Sequence, residues 1–437
     1  MHASRLIAWQ VAFLAGALAF AAAAATNEVG TPILDSSGYW RAHFTFLRPV
    51  LRNAAGGLDV RPTTTGDTAL PPDNWAASDF NDRDWPRMPG YLFPAGGYNL
   101  PLQFRNAGYT DYELTSANLG LICLRGKFAV NDLAAARNLH LGVSFRGGLV
   151  VYLNGKEIAR EQVPDVKSGL AALAADYPLD ASLKADGTVL GGPYLGTKLD
   201  DPEVLRRWGL RVRTCELDLP AAALRKGVNV LALEIHRAAY PHELYDGSRQ
   251  VAMHLTPSVV WCTCALLGVR LAGEGAGVAP NLGHAAGFQV WNSPPINPDY
   301  DLDSGDPNEP LRPVRLVGPR GGSVSGKVVC GNDGPLSGLR AALAGDLVSA
   351  KGSIPAAAVK VRYAVTNGWE QAPFGSYTLS PRLFDGLTET PPGIVTPRRG
   401  GDMAPHYLLP DQIPSAPLTQ RTRLCSLPRL HWAIRGR

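Results

Sequence analysis

Residues Leu149–Arg160 read LVVYLNGKEIAR, and this stretch decides the fold class. The apolar run Leu149–Leu153 is typical of a β-strand. Asn154-Gly155 is the strongest two-residue signal for a β-hairpin, because a type I′ turn needs two residues that accept a positive φ. Lys156–Arg160 continues as the returning strand. The sequence therefore predicts a hairpin with a type I′ turn at Asn154-Gly155.

Alternating sequences on both sides of this hairpin predict further strands. Leu139, Leu141, Val143 and Phe145 recur at every second position and would share one face of a strand. Val228–His236 continues the same pattern further along the chain. No helix-period pattern of comparable length competes with these segments, so the predicted fold class is all-β.

The predicted architecture consists of two jelly-roll-like β-sandwich domains in series. The first spans 26–292 and carries a short helical insertion at about 165–208. An acidic linker at 293–312 leads to a second, smaller β-domain at 313–397. The segment 398–437 is rich in Arg and Pro without apolar periodicity, so we expect a disordered tail. Translation of GC-rich DNA in a wrong frame would give a similar composition.

The charge distribution excludes one class of partner. The chain has 437 residues and a formal net charge of +4. Residues 398–437 alone carry a net charge of +5, and residues 26–397 carry a net charge of −2. No basic stripe is left to hold a phosphate backbone, so we expect no nucleic-acid partner.

The first 25 residues predict an export signal. A single positive charge at Arg5 precedes the apolar stretch Leu6–Ala25, which ends in small residues suited to cleavage. An uncleaved membrane anchor is the alternative, because the stretch is long enough to span a bilayer. We expect a secreted or periplasmic protein that is soluble after signal removal.

Six cysteines are too sparse for a disulfide scaffold, and Cys262-x-Cys264 lacks a second pair at metal spacing.

Asp299, Asp301, Asp303 and Asp306 form the densest acidic run of the chain. Alternating carboxylates offer oxygen ligands on one side of a turn, which suits Ca²⁺. Calcium is therefore the one cofactor that the sequence suggests. The EF-hand template is not met, because Ser and Pro stand where it needs Gly and Glu. A solvated linker is the alternative interpretation.

Gly321–Lys327 reads GGSVSGK, which has the glycine and lysine spacing of a phosphate-binding loop. Val328 follows in place of Ser or Thr, and strand-forming residues follow in place of a helix. Such a loop needs a helix N-terminus to direct its N–H groups at phosphate. We expect a plain turn at this position.

Four segments, taken in order, carry a resemblance to a known fold. They are Trp75 followed by SDFNDRDWPRMPG (Ser78–Gly90), LRGKFAVND (Leu124–Asp132), VVYLNGKEIAR (Val150–Arg160) and LRKGVNVLALEIHR (Leu224–Arg237). The series resembles the galactose-binding-like β-sandwich at the front of family 2 glycoside hydrolases. The resemblance implies a sandwich but no particular ligand, since this fold hosts binding and spacer roles alike.

A second resemblance covers about 310–395. Pro313–Cys330 and Lys360–Val365 are similar to the N-terminal β-domain of family 123-type glycoside hydrolases. In that family a catalytic barrel with paired acidic residues follows, and the resemblance would place it beyond residue 397. Only Asp402 and Asp411 are acidic there. We therefore expect no catalytic residues and no glycoside hydrolysis, which needs two carboxylates across the scissile bond.

Polar and aromatic residues near the end of Val228–His236 are the candidate glycan ligands. They are Glu234, His236, Arg237, Tyr240, His242 and Trp85. Aromatic faces stack on sugar C–H surfaces, while Arg, Glu and His supply hydrogen bonds. The alternatives are a polar outer strand face for Glu234 and His236, and a place in the core for the tryptophans.

The preferred function is that of a secreted, non-catalytic, carbohydrate-associated protein, with a glycan as the expected partner. It would be the glycan-binding accessory region of a glycoside hydrolase-like architecture. Two alternatives stay open. One is a truncated or frameshifted glycoside hydrolase without its catalytic barrel. The other is a structural cell-surface protein that uses its sandwiches as spacers.

Overall fold

The computed structural model shows an all-β protein, as the sequence predicts. It describes residues 30–36, 38–60, 67–89, 118–165, 167–188, 202–244, 262–282, 286–296, 299, 303–319, 321–365, 384, 386–395 and 429–435. The chain forms two compact units. Met1–Phe80 and Arg87–Leu282 make up the first, and Asn81–Pro86 and Gly283–Arg437 the second. None of the described helices is long and apolar enough to cross a membrane.

The first unit is built from the strands β1 to β14. Their bounds are β1 (Thr31–Asp35), β2 (Tyr39–Phe46), β3 (Val50–Arg52), β4 (Leu58–Val60), β5 (Arg87–Pro89), β6 (Leu119–Val130), β7 (Arg137–Arg146), β8 (Gly148–Leu153), β9 (Lys156–Glu161), β10 (Arg213–Asp218), β11 (Gly227–His236), β12 (Tyr240–Pro241), β13 (Ala265–Glu274) and β14 (Val278–Ala279).

Two antiparallel sheets make this unit a sandwich. The four-stranded sheet has the order β1-β13-β7-β10. The seven-stranded sheet has the order β5-β2-β6-β11-β8-β9, and β14 also pairs with β6. A small third sheet, β12-β3-β4, lies beside them. In the seven-stranded sheet, β11 pairs with β6 from Gly227 opposite Val130 to His236 opposite Leu121.

The core lies between the two main sheets and uses the alternating residues that the sequence identifies. The alternating set of β7 from Leu139 to Phe145 is at most 3% exposed. Leu231, Leu233 and Ile235 of β11 belong to the same buried cluster. Burial of a side chain of this size contributes roughly 1.5–3 kcal/mol. Because strand side chains alternate, the other residues of β11 lie on the outer face of the seven-stranded sheet.

The hairpin of the opening segment is confirmed. β8 and β9 pair antiparallel across Asn154 and Gly155. Asn154 has φ 54° and Gly155 has φ 85°, the two positive values that a type I′ turn requires. The side chain of Asn154 also fixes the neighbouring loop, since its amide donates to the carbonyl of Ala223 at 2.9 Å.

Replacing Gly155 by valine is expected to destabilise the first unit by about 1 kcal/mol or more. Valine disfavours positive φ, and a Cβ at this position would lie 3.1 Å from Cα of Ala77. Urea unfolding followed by circular dichroism measures the change. Gly209→Val is the control, because a Cβ at Gly209 meets nothing within 4 Å. Equal midpoints for the two variants would contradict the role assigned to the turn.

The segment between β9 and β10 forms an insertion with little regular structure. Its short 3-10 helices are Gly169–Ala171 and Leu179–Ala181. A helix here, α1 (Pro202–Gly209), agrees with the short helix that the sequence predicts. Pro suits the first helical position because its missing N–H has no helical partner there. Glu203 accepts hydrogen bonds from the Arg206 and Arg207 guanidinium groups, at 2.8 and 2.7 Å.

The second unit has one main sheet. Its strands are β15 (Gln289–Asn292), β16 (Ser323–Gly331), β17 (Leu347–Ser349), β18 (Gly352–Ile354), β19 (Val359–Val365), β20 (Gly386–Thr388) and β21 (Arg429–Arg435). The five-stranded sheet has the order β15-β16-β21-β19-β20, and β17 pairs with β18 alone. The described residues of this unit thus form one five-stranded sheet and one two-stranded sheet.

An extended segment packs on part of the main sheet of this unit. Residues 311–319 are described without strand pairing. A Cβ on Gly326 of β16 would lie 2.3 Å from Cγ1 of Val314, so the Val314 side chain packs directly on the strand. Apolar packing covers the sheet here without the main-chain ladder of a second sheet.

The first unit ends at Leu282, before the predicted boundary at 292, and the predicted linker 293–312 falls within the second unit.

The expectation of a disordered tail at 398–437 needs a correction. Arg429–Arg435 forms β21, which pairs antiparallel with β16 on one side and β19 on the other. The sequence RLHWAIR alternates Leu, Trp and Ile with Arg, His, Ala and Arg, a period of two that favours a strand. This period of two is confined to Arg429–Arg435, whereas the segment 398–437 as a whole has no apolar periodicity. Residues 396–428 lie outside the described residues.

Candidate functional site

Glu234 and His236, two of the candidate glycan ligands, form a buried polar network. Both lie on the outer face of β11, yet Glu234 is 3% exposed and His236 is 0% exposed. Oε1 of Glu234 lies 2.6 Å from Nε2 of His236. Oε2 accepts hydrogen bonds from Nε1 of Trp75 at 3.2 Å and from the Tyr152 hydroxyl at 3.3 Å. The solvated polar face that the sequence suggested for this pair is therefore a covered one.

The hydrogen bonds assign the protons of this network. Nδ1 of His236 lies 2.9 Å from the carbonyl oxygen of Ala172, and a carbonyl only accepts, so Nδ1 carries a proton. One further proton must lie between Nε2 and Glu234. Glu234 and His236 share this proton, and the pair carries no net charge whichever of the two atoms holds it.

A turn at residues 72–80 covers the network. The Trp75 ring meets the Tyr152 ring edge to face, with centroids 5.8 Å apart and an interplanar angle of 80°. Arg125 of β6 donates from Nη1 to the carbonyl oxygen of Trp75 at 2.5 Å, and its guanidinium lies 5.4 Å from the centroid of the Phe80 ring. The insertion closes the other side through Ala172. The network therefore attaches two loop segments to the sheet.

Arg237 and Tyr240 also have structural roles. Nη1 of Arg237 donates to the carbonyl oxygens of Leu47 and Arg48 at 3.1 and 2.7 Å. Burial lowers the pKa of this guanidinium. Tyr240 is 1% exposed, and burial raises the pKa of its hydroxyl. His242 is exposed, so only part of the set of candidate glycan ligands is accessible.

Trp85 is 7% exposed and belongs to Asn81–Pro86, which forms part of the second unit, whereas the other candidate glycan ligands belong to the first. Trp40 and Trp75 are 0% and 1% exposed. The core position that the sequence allowed for the tryptophans is the one that the structure shows for Trp40.

The acidic run does not gather around one point in the described residues. Asp299 forms a buried ion pair with Lys327, and the Ser293 hydroxyl donates to its Oδ1 at 2.5 Å. Asp306 accepts the backbone N–H of Asn308 at 2.8 Å. Among the described residues, no three His, Cys, Asp or Glu side chains are placed to hold one metal ion. Asp301 lies outside the described residues, so the calcium site stays a prediction.

Lys327 has a different partner from the one its motif suggests. Gly321 stands in a turn with φ 70°, and Ser323–Gly331 is a strand in place of a helix. Lys327 is 3% exposed and pairs with a carboxylate. The turn expected from the sequence is the one observed.

The described cysteines are buried thiols. They are Cys123, Cys215, Cys262, Cys264 and Cys330, and all five are unpaired. Burial raises the pKa of the Cys262 thiol to about 11 and that of Cys215 to about 11. Because the thiolate is the reactive form, their burial and raised pKa disfavour reaction of these thiols in the folded protein.

An open groove on the first unit was missed by sequence reasoning. It has a volume of about 450 Å³ and lies between the β3–β4 hairpin and the insertion. The residues that line it are Arg52, Leu58, Pro164, Asp165, Ser168, Ala171, Ala172, Leu173, Ala174, Ala175 and Asp176. Arg52 and Asp176 form a bidentate ion pair across it, with Nε–Oδ2 at 2.9 Å and Nη2–Oδ1 at 3.1 Å. These two residues are 124 positions apart, and no local motif connects them.

Comparison with known proteins gives distant structural likenesses. No family model and no curated protein matches the chain. A β-glycosidase from Bacteroides vulgatus shares 12% identity over 77% of this chain and 26% of its own, with a TM-score of 0.23. A β-glucuronidase from Bifidobacterium dentium, complexed with coumarin-3-O-glucuronide, shares 13% over 78% of this chain and 38% of its own, with a TM-score of 0.28.

A family 2 glycosyl hydrolase from Bacteroides cellulosilyticus shares 10% identity over 93% of this chain and 32% of its own, with a TM-score of 0.23. All three of these structures share between 10% and 13% identity with the chain. It spans between 23% and 41% of the lengths of the similar structures. Likenesses at these TM-scores assign no activity and no site residue to this chain.

Proposed function

We propose that this chain is a non-catalytic, carbohydrate-associated protein, the accessory part of a glycoside hydrolase-like architecture. The proposal rests on one observation: the buried acids Glu234 and Asp299 are both bound to side chains of the protein itself. Glu234 is neutralised by His236 and serves two further donors. Asp299 is neutralised by Lys327. General acid–base work needs a carboxyl group within reach of a substrate, whereas these two hold loops and strands together.

The proposal also includes export to a secreted or periplasmic location. Its support is the sequence of residues 1–25, which lie outside the described residues. The five described cysteines are unpaired, and their burial would protect these thiols from oxidation after export. A structural spacer role is the competing function, and the internal use of the charged residues would suit it equally.

The purified full chain is expected to bind glycans weakly, with Kd between about micromolar and millimolar, and to release no sugar. A glycan array tests binding, and incubation of the bound glycans with measurement of reducing ends tests hydrolysis. A flat array would favour the spacer. Release of reducing sugar that falls in the Glu234→Gln variant would show a catalytic protein and overturn the proposal.

A further inference from the structure

The groove beside the insertion presents paired donors and acceptors to solvent. The side chains of Arg52 and Asp176 are 35% and 44% exposed, so the ion pair can meet a ligand. Nη1 of Arg52 also donates to the carbonyl oxygen of Gly56 at 3.1 Å, which fixes the guanidinium from the hairpin side. The ion pair is thus held in place before any ligand arrives.

A second acid stands in the same groove with a fixed orientation. Oδ1 of Asp165 accepts the backbone N–H groups of Lys167 and Ser168 at 3.0 and 3.2 Å, and the Ser168 hydroxyl donates to Oδ2. These hydrogen bonds lower the pKa of Asp165, so the carboxyl stays ionised at neutral pH.

The chemistry of the lining favours a polyol without charge. A guanidinium beside a carboxylate offers donors and acceptors to neighbouring hydroxyls, which both donate and accept. Leu58, Pro164 and Leu173 supply apolar surface for the C–H face of a ring. The charged lining residues are Arg52, Asp165 and Asp176, so the lining carries one excess negative charge. That excess disfavours an anionic ligand.

We propose that this groove binds a neutral sugar unit through the Arg52–Asp176 pair, an inference that rests on the proposed function. The volume of about 450 Å³ lies in the range of small-molecule sites. Asp165 selects against uronate and sulfated sugars by charge. Arg52 and Asp176 bind hydroxyls, and the aliphatic wall carries the ring.

The test measures sugar binding to the full chain and to two groove variants, Arg52→Met and Asp176→Asn. Saturation-transfer NMR with D-glucose, D-galactose, D-mannose and D-glucuronate gives the affinities. Hydrogen bonds to charged groups are lost in both variants, so Kd for the bound neutral sugar should rise about tenfold or more. D-glucuronate should bind several-fold more weakly than D-glucose. Both variants should fold, because an exposed pair adds little stability.

Asp67→Asn is the matched control. Asp67 forms a similar ion pair with Arg48 outside the groove lining, with side-chain exposures of 50% for Arg48 and 38% for Asp67. Its affinity for sugar should equal that of the unaltered chain. If the chain binds glycans on the array but the Kd for the neutral sugar is unchanged in Asp176→Asn, the groove is not the binding site, and the proposed function still holds. Equal binding of D-glucuronate would overturn the charge argument. Binding to no glycan on the array would overturn both the proposed function and the assignment of the groove.

Discussion

Replacing Glu234 by alanine is expected to destabilise the first unit by about 3 kcal/mol or more. Oε1 of Glu234 lies 2.6 Å from Nε2 of His236, and Oε2 accepts hydrogen bonds from Trp75 at 3.2 Å and from Tyr152 at 3.3 Å. Alanine leaves these three donors without that acceptor in a place where Glu234 is 3% exposed. Hydrogen exchange of β11 peptides in increasing urea measures the loss.

Two further variants separate the charge from the hydrogen bonds. Tyr152→Phe removes one donor and leaves the carboxylate served by Trp75, so about 0.5–1.5 kcal/mol is expected. Glu234→Gln keeps an oxygen for Trp75 and Tyr152, and its amide can donate to a neutral His236. Its cost should lie between those of the other two. A Glu234→Ala protein as stable as Tyr152→Phe would show that the network adds nothing beyond one hydrogen bond.

Much of the first unit follows from local sequence signals. Asn154-Gly155 specifies its turn through backbone φ values alone, and the alternation around Leu141 and Leu233 identifies the faces that pack in the core. Such signals act between neighbours in the chain and are visible in a sequence. β21 has the same kind of signal in RLHWAIR. This signal covers only seven residues, and the surrounding Arg- and Pro-rich segment has no such alternation.

The candidate site was harder to predict, because alternation gives the face of a residue and not what covers that face. Glu234 and His236 were placed correctly on one face, and whether solvent reaches them depends on Trp75, which is 159 positions away from Glu234. The Arg52–Asp176 pair joins residues that are 124 positions apart. Each of these residues taken alone resembles many other surface residues. Only the fold brings them together.

Replacing Lys327 by methionine is expected to destabilise the second unit by about 3–5 kcal/mol. Lys327 and Asp299 are 3% and 5% exposed, and they form an ion pair next to the Ser293 hydroxyl. Methionine fills much of the same space but removes the cation, which leaves a carboxylate in surroundings that disfavour charge. Hydrogen exchange of β16 peptides in increasing urea reports the effect.

An exposed ion pair in the same sheet provides the control for this prediction. Lys360 lies 3.6 Å from Glu389, with side-chain exposures of 49% and 63%, so Lys360→Met should change stability by less than about 1 kcal/mol. The double variant Lys327→Met with Asp299→Asn should recover part of the loss, because the amide carries no charge to bury. Equal effects of Lys327→Met and Lys360→Met would contradict the prediction. Burial makes this ion pair costly to break, and it also keeps Asp299 away from solvent. Equal effects of the two substitutions would mean that Asp299 is accessible, and its carboxylate would again be a candidate ligand for Ca²⁺.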